Sequence, residues 1–278
     1  MTRLAARLGA LTNATHGFIY FADAATAEYA SLGLAGSQQY FASRAAPLGP
    51  VGPELVVATF FNFSPDRVRD AVPSCWEVAD PEQIQAARLR AAASVLAEAC
   101  ADVDRASVAE ATVIAQRMVD GVGDEGKPLA AANRSVELPD DPWGALFQLL
   151  TIIREWRGDA HVAVLTSHAV TAVEALVLHA ATGQVPRVAL ETTRGWPASA
   201  WGDAIAALQE KGLVDADGEF TETGRTFRES IEEETNRAVH PLVAAVGPDV
   251  TQQLCDLLKP MRDGLVASGA FAKMASGR

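Results

Sequence analysis

The sequence predicts a mainly α-helical fold, with a helical N-terminal domain over residues 1–184 and a smaller C-terminal domain over residues 185–278. Three observations carry this. Apolar residues recur at spacings of two to four through residues 82–100 (EQIQAARLRAAASVLAEAC), which is the period of a helix face. Asp-Pro pairs at 80–81 and 141–142 each supply a capping side chain and a proline at the first helical position. Strand-like runs are few.

The N-terminus, Met1 to Ala10, carries Arg3 and Arg7 and has no apolar run of signal-peptide length. Residues 54–63 (ELVVATFFNF) have the β-branched and aromatic content of a strand. They fit a buried helix as well, and periodicity alone leaves both open. Residues 65–73 read as a short helix capped by Ser64. The long helix 82–100 is followed by a second over 106–120, which ends near Gly121 and Gly123. A further helix opens at Asp141-Pro142 and runs to Gly158, where Gly158-Asp159 is expected to break it and cap the next. If residues 160–183 were one helix, His161, His168 and His179 would share a face. Thr171 and Glu174 have the spacing of a capping box, which predicts a break near Val170 and turns His179 away. His161 and His168 would also stand about 10 Å apart along such a helix. That is too far to share one ion, so no metal site is expected. Composition shifts near residues 184–197, and the small, polar tail from Gly269 to Arg278 is expected to fray.

Of the 278 residues, 49% are hydrophobic, 21% charged and 6% aromatic, and the net charge is −12. The apolar fraction excludes a disordered chain. The acidic balance argues against gripping nucleic acid or an anionic membrane through the general surface. No run approaches the length of a membrane span. Cys75, Cys100 and Cys255 are widely spaced and odd in number, which fits buried thiols in a reducing cytoplasm rather than disulfides or a zinc site. The alanine-rich, lysine-poor composition points to a high-GC bacterium.

Residues 197–237 form the clearest unit. Ser199 is expected to cap a helix through Trp201, Ala204, Ile205 and Leu208 to Lys211, and Gly212 stops it. Leu213-Val214 and Phe220-Thr221 read as short strands around an Asp217-Gly218 turn, and a long helix follows to Arg237. The run LQEKGLVDADGEFTETGRTFRESI resembles the corresponding part of MarR-type winged-helix proteins, with a recognition helix, a wing and a Thr-x-x-Gly-Arg helix start. The resemblance implies a winged-helix-like C-terminal domain and, by family, DNA binding. The residues oppose that function. Residues 199–237 hold ten acidic and four basic side chains, a net of −6, and the wing carries Asp215, Asp217 and Glu219. A structural or dimerising winged helix is therefore expected, with nucleic acid not a partner.

Six further stretches match a larger pattern. They are His16-Gly-Phe-Ile-Tyr20-Phe21, Tyr40 to Gly49, Val57 to Pro65, Pro128 to Asn133, Arg154 to His161 and Glu174 to Gly183. In this order, ahead of the winged helix, they resemble an actinobacterial family of largely helical proteins with a helix-turn-helix-like C-terminal part. The resemblance covers about residues 5–237. It implies a fold and a taxonomic home, and no particular reaction or cofactor. The chain departs from the pattern at Trp156 and His168, where His and a small residue are expected.

The candidate site lies in the N-terminal third. His16, Tyr20, Tyr40, Arg44 and Asn62 are polar groups set among Phe18, Phe21, Phe41, Phe60, Phe61 and Phe63. An aromatic wall with a few polar groups suits a concave small-molecule site, and the stretch 45–53 (AAPLGPVGP) reads as a stiff, non-helical loop lining it. The alternative makes these aromatics ordinary core. A second cluster is Arg154, Arg157, Asp159 and His161, in which Asp159 either orients His161 or caps a helix. Nucleophile elbows, P-loops and zinc-protease motifs are absent, and the Gly121 to Gly126 run (GVGDEG) follows a helix rather than a strand. The expected function is binding of a hydrophobic or aromatic small molecule by a cytoplasmic homodimer. His16, Tyr20, Tyr40, Arg44, Phe60, Asn62 and His161 would form the site. The alternatives are a ligand-responsive MarR-like regulator and an enzyme of secondary metabolism using the same cavity.

Overall fold

The computed structural model describes residues 1–271, so most of the tail expected to fray lies outside the described residues. The first nine helices are α1 (Thr2–Gly17), α2 (Asp23–Ser31), α3 (Ser37–Ala45), α4 (Pro53–Phe60), α5 (Pro65–Arg69), α6 (Cys75–Val78), α7 (Pro81–Ala99), α8 (Arg105–Asp120) and α9 (Pro128–Arg134). They are followed by α10 (Pro142–Ser167), α11 (Ala172–Ala180), α12 (Arg187–Arg194), α13 (Ala198–Glu210), α14 (Glu222–Ala238), α15 (His240–Val246) and α16 (Pro248–Ala267). Among the described residues there is no strand. The hairpin expected over 213–221 reduces to one antiparallel bridge between Val214 and Phe220. No single helix there is long and apolar enough to cross a membrane.

Most helix starts follow their local chemistry. Pro81 opens α7, and the Asp80 N–H donates to Gln83 Oε1 at 3.2 Å. Asp141 accepts the Gly144 N–H at 2.8 Å ahead of Pro142 in α10, and Ser64 accepts the Arg67 N–H to start α5. Residues 54–63 resolve as helix α4, with Val56, Thr59 and Phe60 buried.

Three local expectations are corrected. Gly158-Asp159 does not break α10, which runs 26 residues to Ser167. The Asp159 carboxylate caps a different helix, accepting the Leu129 and Ala130 N–H groups of α9 at 3.0 and 3.1 Å. Ser199 does not cap α13, which starts at Ala198 behind Pro197 with no side-chain cap. The loop 45–53 holds a 3-10 turn over Ala46–Leu48. The break near Val170 is present: the capping box of Thr171 and Glu174 forms, and α10 and α11 meet at a bend of 106°.

The buried side chains form two clusters. The larger gathers α1 to α10 and takes in Val239, Leu242, Leu254, Leu258, Met261 and Leu265, so α15 and α16 close over α1, α7 and α8. The smaller runs from Leu165 to Ile231 and centres on Trp201, Leu176 and Leu208. The central helix α10 packs on α1, α7, α8, α9 and α14, and its last turn enters the second cluster.

Candidate functional site

Helices α12 and α13 are joined by three residues, Gly195, Trp196 and Pro197. Gly195 turns the chain at φ 74°, and a Cβ there would approach Arg67 Cβ to 2.9 Å. Glycine is thus required both for the left-handed backbone and for the close contact. Trp201, Ala204 and Leu208 of α13 point inward, while Ser199, Gly202, Asp203, Ala206 and Gln209 face solvent. Burial at spacings of three and four fixes which face is presented. The chain returns through 213–221, where the Asp215 carboxylate accepts the N–H groups of Asp217 and Glu219 at 3.0 and 2.9 Å and closes the tip. Thr221 accepts the Gly224 N–H at 2.9 Å to start α14. A Cβ on Gly224 would fall 1.8 Å from the Leu213 carbonyl oxygen, which explains the glycine in the Thr-x-x-Gly-Arg start.

The turn between α12 and α13 is seated on the end of α4. Phe61 holds φ 61° and ψ −60°, and Asn62 N–H donates to the Phe60 carbonyl at 2.7 Å. This is a γ-turn of the strained hand. It sends Phe61 into the second cluster and frees the Asn62 carbonyl to accept Trp196 Nε1–H at 3.0 Å. Ser64 N–H donates to the Arg194 carbonyl at 2.9 Å.

Beside this seat lies a cleft of about 530 Å³ between the larger cluster and α11, α12 and α14. Glu155, fully buried on α10, accepts Arg44 Nε and Nη2 at 3.1 and 3.0 Å and Arg154 Nη1 at 2.7 Å. Burial opposes its ionisation, yet Arg154 and Arg44 hold it well below the usual carboxylate range. Across the cleft Glu232 accepts Arg157 at 2.9 Å and Arg228 at 2.6 Å. Burial acts against its charge too, and Arg228 and Arg157 bring it down to about 2. His161 Nδ1 lies 2.9 Å from Thr235 Oγ1. The Thr235 hydroxyl proton goes to the Ile231 carbonyl, so Nδ1 carries the imidazole hydrogen. Burial, with Arg157 and Arg228 nearby, lowers His161 to about 4. Burial raises Asp159 to about 6, assisted by Glu155 and opposed by its two backbone donors.

Of the residues singled out by sequence, Tyr40, Arg44, Phe60, Asn62 and His161 line this one cleft. His16 is fully buried behind it. Its Nδ1 is 3.0 Å from Thr151 Oγ1, whose proton goes to the Phe147 carbonyl, so Nδ1 donates and Nε2 accepts from Tyr20 OH at 3.0 Å. Burial drives the His16 pKa well below its ordinary value, and the ring stacks on Phe147. Arg194, Arg228, Glu155 and Glu232 were not anticipated. Arg194 and Arg228 sit on other helices, and nothing local marks them.

Two helices, a three-residue turn and an outward second helix have the order of a helix-turn-helix. The chain belongs to a helix-turn-helix family, whose sequence profile matches residues 5–272. No curated protein and no solved structure matches the chain. The family membership corrects two expectations from sequence. Small-molecule binding does not stand as the main role, and nucleic acid does not stand as an excluded partner. The first expectation rests on the aromatic residues of the N-terminal third and the second on the acidic balance of residues 199–237, whereas a helix-turn-helix meets DNA through one helix face, which the net charge of a segment does not describe.

Proposed function

We propose that the protein binds duplex DNA, with α11 to α14 acting as a winged helix and α13 entering the major groove. The observation that carries this is the three-residue turn ahead of an α13 face that is exposed, uncapped and built of small and polar side chains. Gly202 and Ala206 let the helix sit close to base edges. Ser199, Asp203 and Gln209 supply donors and acceptors of the kind that read them. The uncapped N–H groups of α13 are aimed where a backbone phosphate lies in such complexes. In the proposed division α12 to α14 fall within 185–278, while α11, the first helix of the winged unit, and most of the cleft-bearing body fall within 1–184.

The test is selection of random duplexes at low salt, followed by fluorescence anisotropy on the enriched sequence. A defined site is expected, with affinity reduced about tenfold or more by Gln209→Ala with Ser199→Ala, since each lost base contact costs about 1–3 kcal/mol. A homodimer would return a palindrome with half-sites one helical turn apart. Failure to retain any duplex at low salt would overturn the reading.

A further inference from the structure

We propose that the cleft between the body and the helix-turn-helix is a binding site for an organic anion, held through a carboxylate or phosphate group by Arg194 together with Arg154 and Arg44. The argument starts from charge. Five guanidiniums line the cleft, on Arg44, Arg154, Arg157, Arg194 and Arg228, in a chain whose net charge is −12. Only two carboxylates answer them. Glu155 is shared by Arg44 and Arg154, and Glu232 by Arg157 and Arg228. Arg194 makes no ion pair among the described residues. Its Nη1 donates to Thr193 Oγ1 at 2.9 Å, and its buried Nε has no partner. Burial disfavours its charge, and Arg44 and Arg154 add repulsion. A surplus of partly buried positive charge is unfavourable until an anion neutralises it.

The groups are also held in place before any ligand arrives. The Arg194 guanidinium lies 4.6 Å over the Phe63 ring and that of Arg44 lies 4.2 Å over Phe60. Planar guanidiniums fixed on aromatic faces match the flat fork of a carboxylate or phosphate and lose little freedom on binding it. A volume of about 530 Å³ exceeds what a bare anion needs and is in the range of sites for small organic molecules. Arg194 is the last residue of α12, and its carbonyl holds the Ser64 N–H, so a bound anion would lie against the turn that sets α13. That link to α13 rests on the DNA-binding reading; the site itself does not.

The experiment is thermal denaturation and titration calorimetry of the full chain without DNA. The probes are phenyl phosphate, benzoate and inorganic phosphate, each against chloride at equal ionic strength. Saturable stabilisation by at least one organic probe is expected, and the stronger of the two identifies the head group. Arg194→Gln should weaken that binding about tenfold or more, the usual effect of losing a charge-assisted hydrogen bond. Arg154→Gln provides the same test should Arg194→Gln not fold. Arg90→Gln, an exposed residue paired with Glu28 and outside the cleft lining, should leave binding unchanged. No stabilisation beyond chloride, binding of inorganic phosphate alone, or binding indifferent to both cleft substitutions would each overturn the proposal. Because DNA is absent, failure of the DNA-binding reading leaves this test intact.

Discussion

At the scale of single residues, the buried charges decide stability. Glu155 is fully buried and answers both Arg44 and Arg154. Glu155→Gln leaves Arg44 without its carboxylate in the same enclosed place and should cost about 3–5 kcal/mol, measured by urea denaturation. A change within experimental error would show the pair to be solvated. His161 and Asp159 give opposite pH signatures. The His161 pKa falls from 6.5 to about 4 on folding, so the unfolded chain binds more protons between those values and stability rises with pH there. The Asp159 pKa rises from 3.8 to about 6, so the folded chain binds more protons and stability falls with rising pH through that window. Each single group contributes at most about 1.4 kcal/mol per pH unit. His161→Gln should therefore make the stability curve between pH 4 and 6 slope further downward with pH, and Asp159→Asn further upward. Chemical denaturation across that range checks both, and slopes unchanged by either substitution would count against the assignment.

At the scale of elements, the informative segment is the one from α13 to α14. The acidic tip of the 213–221 hairpin reads from sequence as a wing unsuited to DNA. Asp215 has a structural task, since its carboxylate takes two backbone N–H groups. Asp217 has none of that kind and is exposed. Asp217→Lys should strengthen duplex binding at low salt and steepen the salt dependence by about one unit, as one more phosphate contact does. An unchanged slope would place the hairpin away from DNA. Gly224→Ala should be far more damaging, at about 2 kcal/mol or more, because the new methyl meets the Leu213 carbonyl oxygen and forces the hairpin off α14. A wild-type melting temperature for this variant would show that the hairpin can shift freely.

At the scale of the whole molecule, the last two helices belong with the first core. Val239, Leu242, Val243, Leu254, Leu258 and Leu265 are buried among residues of α1, α7 and α8. A chain ending at residue 238 would expose that apolar face and should be insoluble or unfolded. Cooperative melting of such a chain at the wild-type temperature would contradict this.

The sequence by itself determined the helical class, because the apolar period and the caps at Ser64, Asp80, Asp141 and Thr171 act within a few residues. It also determined the order of helix, tight turn and helix over 197–237, through Gly212 and the Asp217-Gly218 turn, while α12 ahead of them is not legible in it. Tertiary structure decided the rest. Gly158 stays helical because α10 is packed along its length and Asp159 is engaged by α9. Residues 53–60 are helical although their composition also suits a strand. The cleft exists because Arg44, Arg154 and Arg194, far apart in the chain, are brought to one place by the packing of α3, α10 and α12. Local pattern fixes which face a helix buries, but not which distant helix covers it, and the convergence of charge depends on the second.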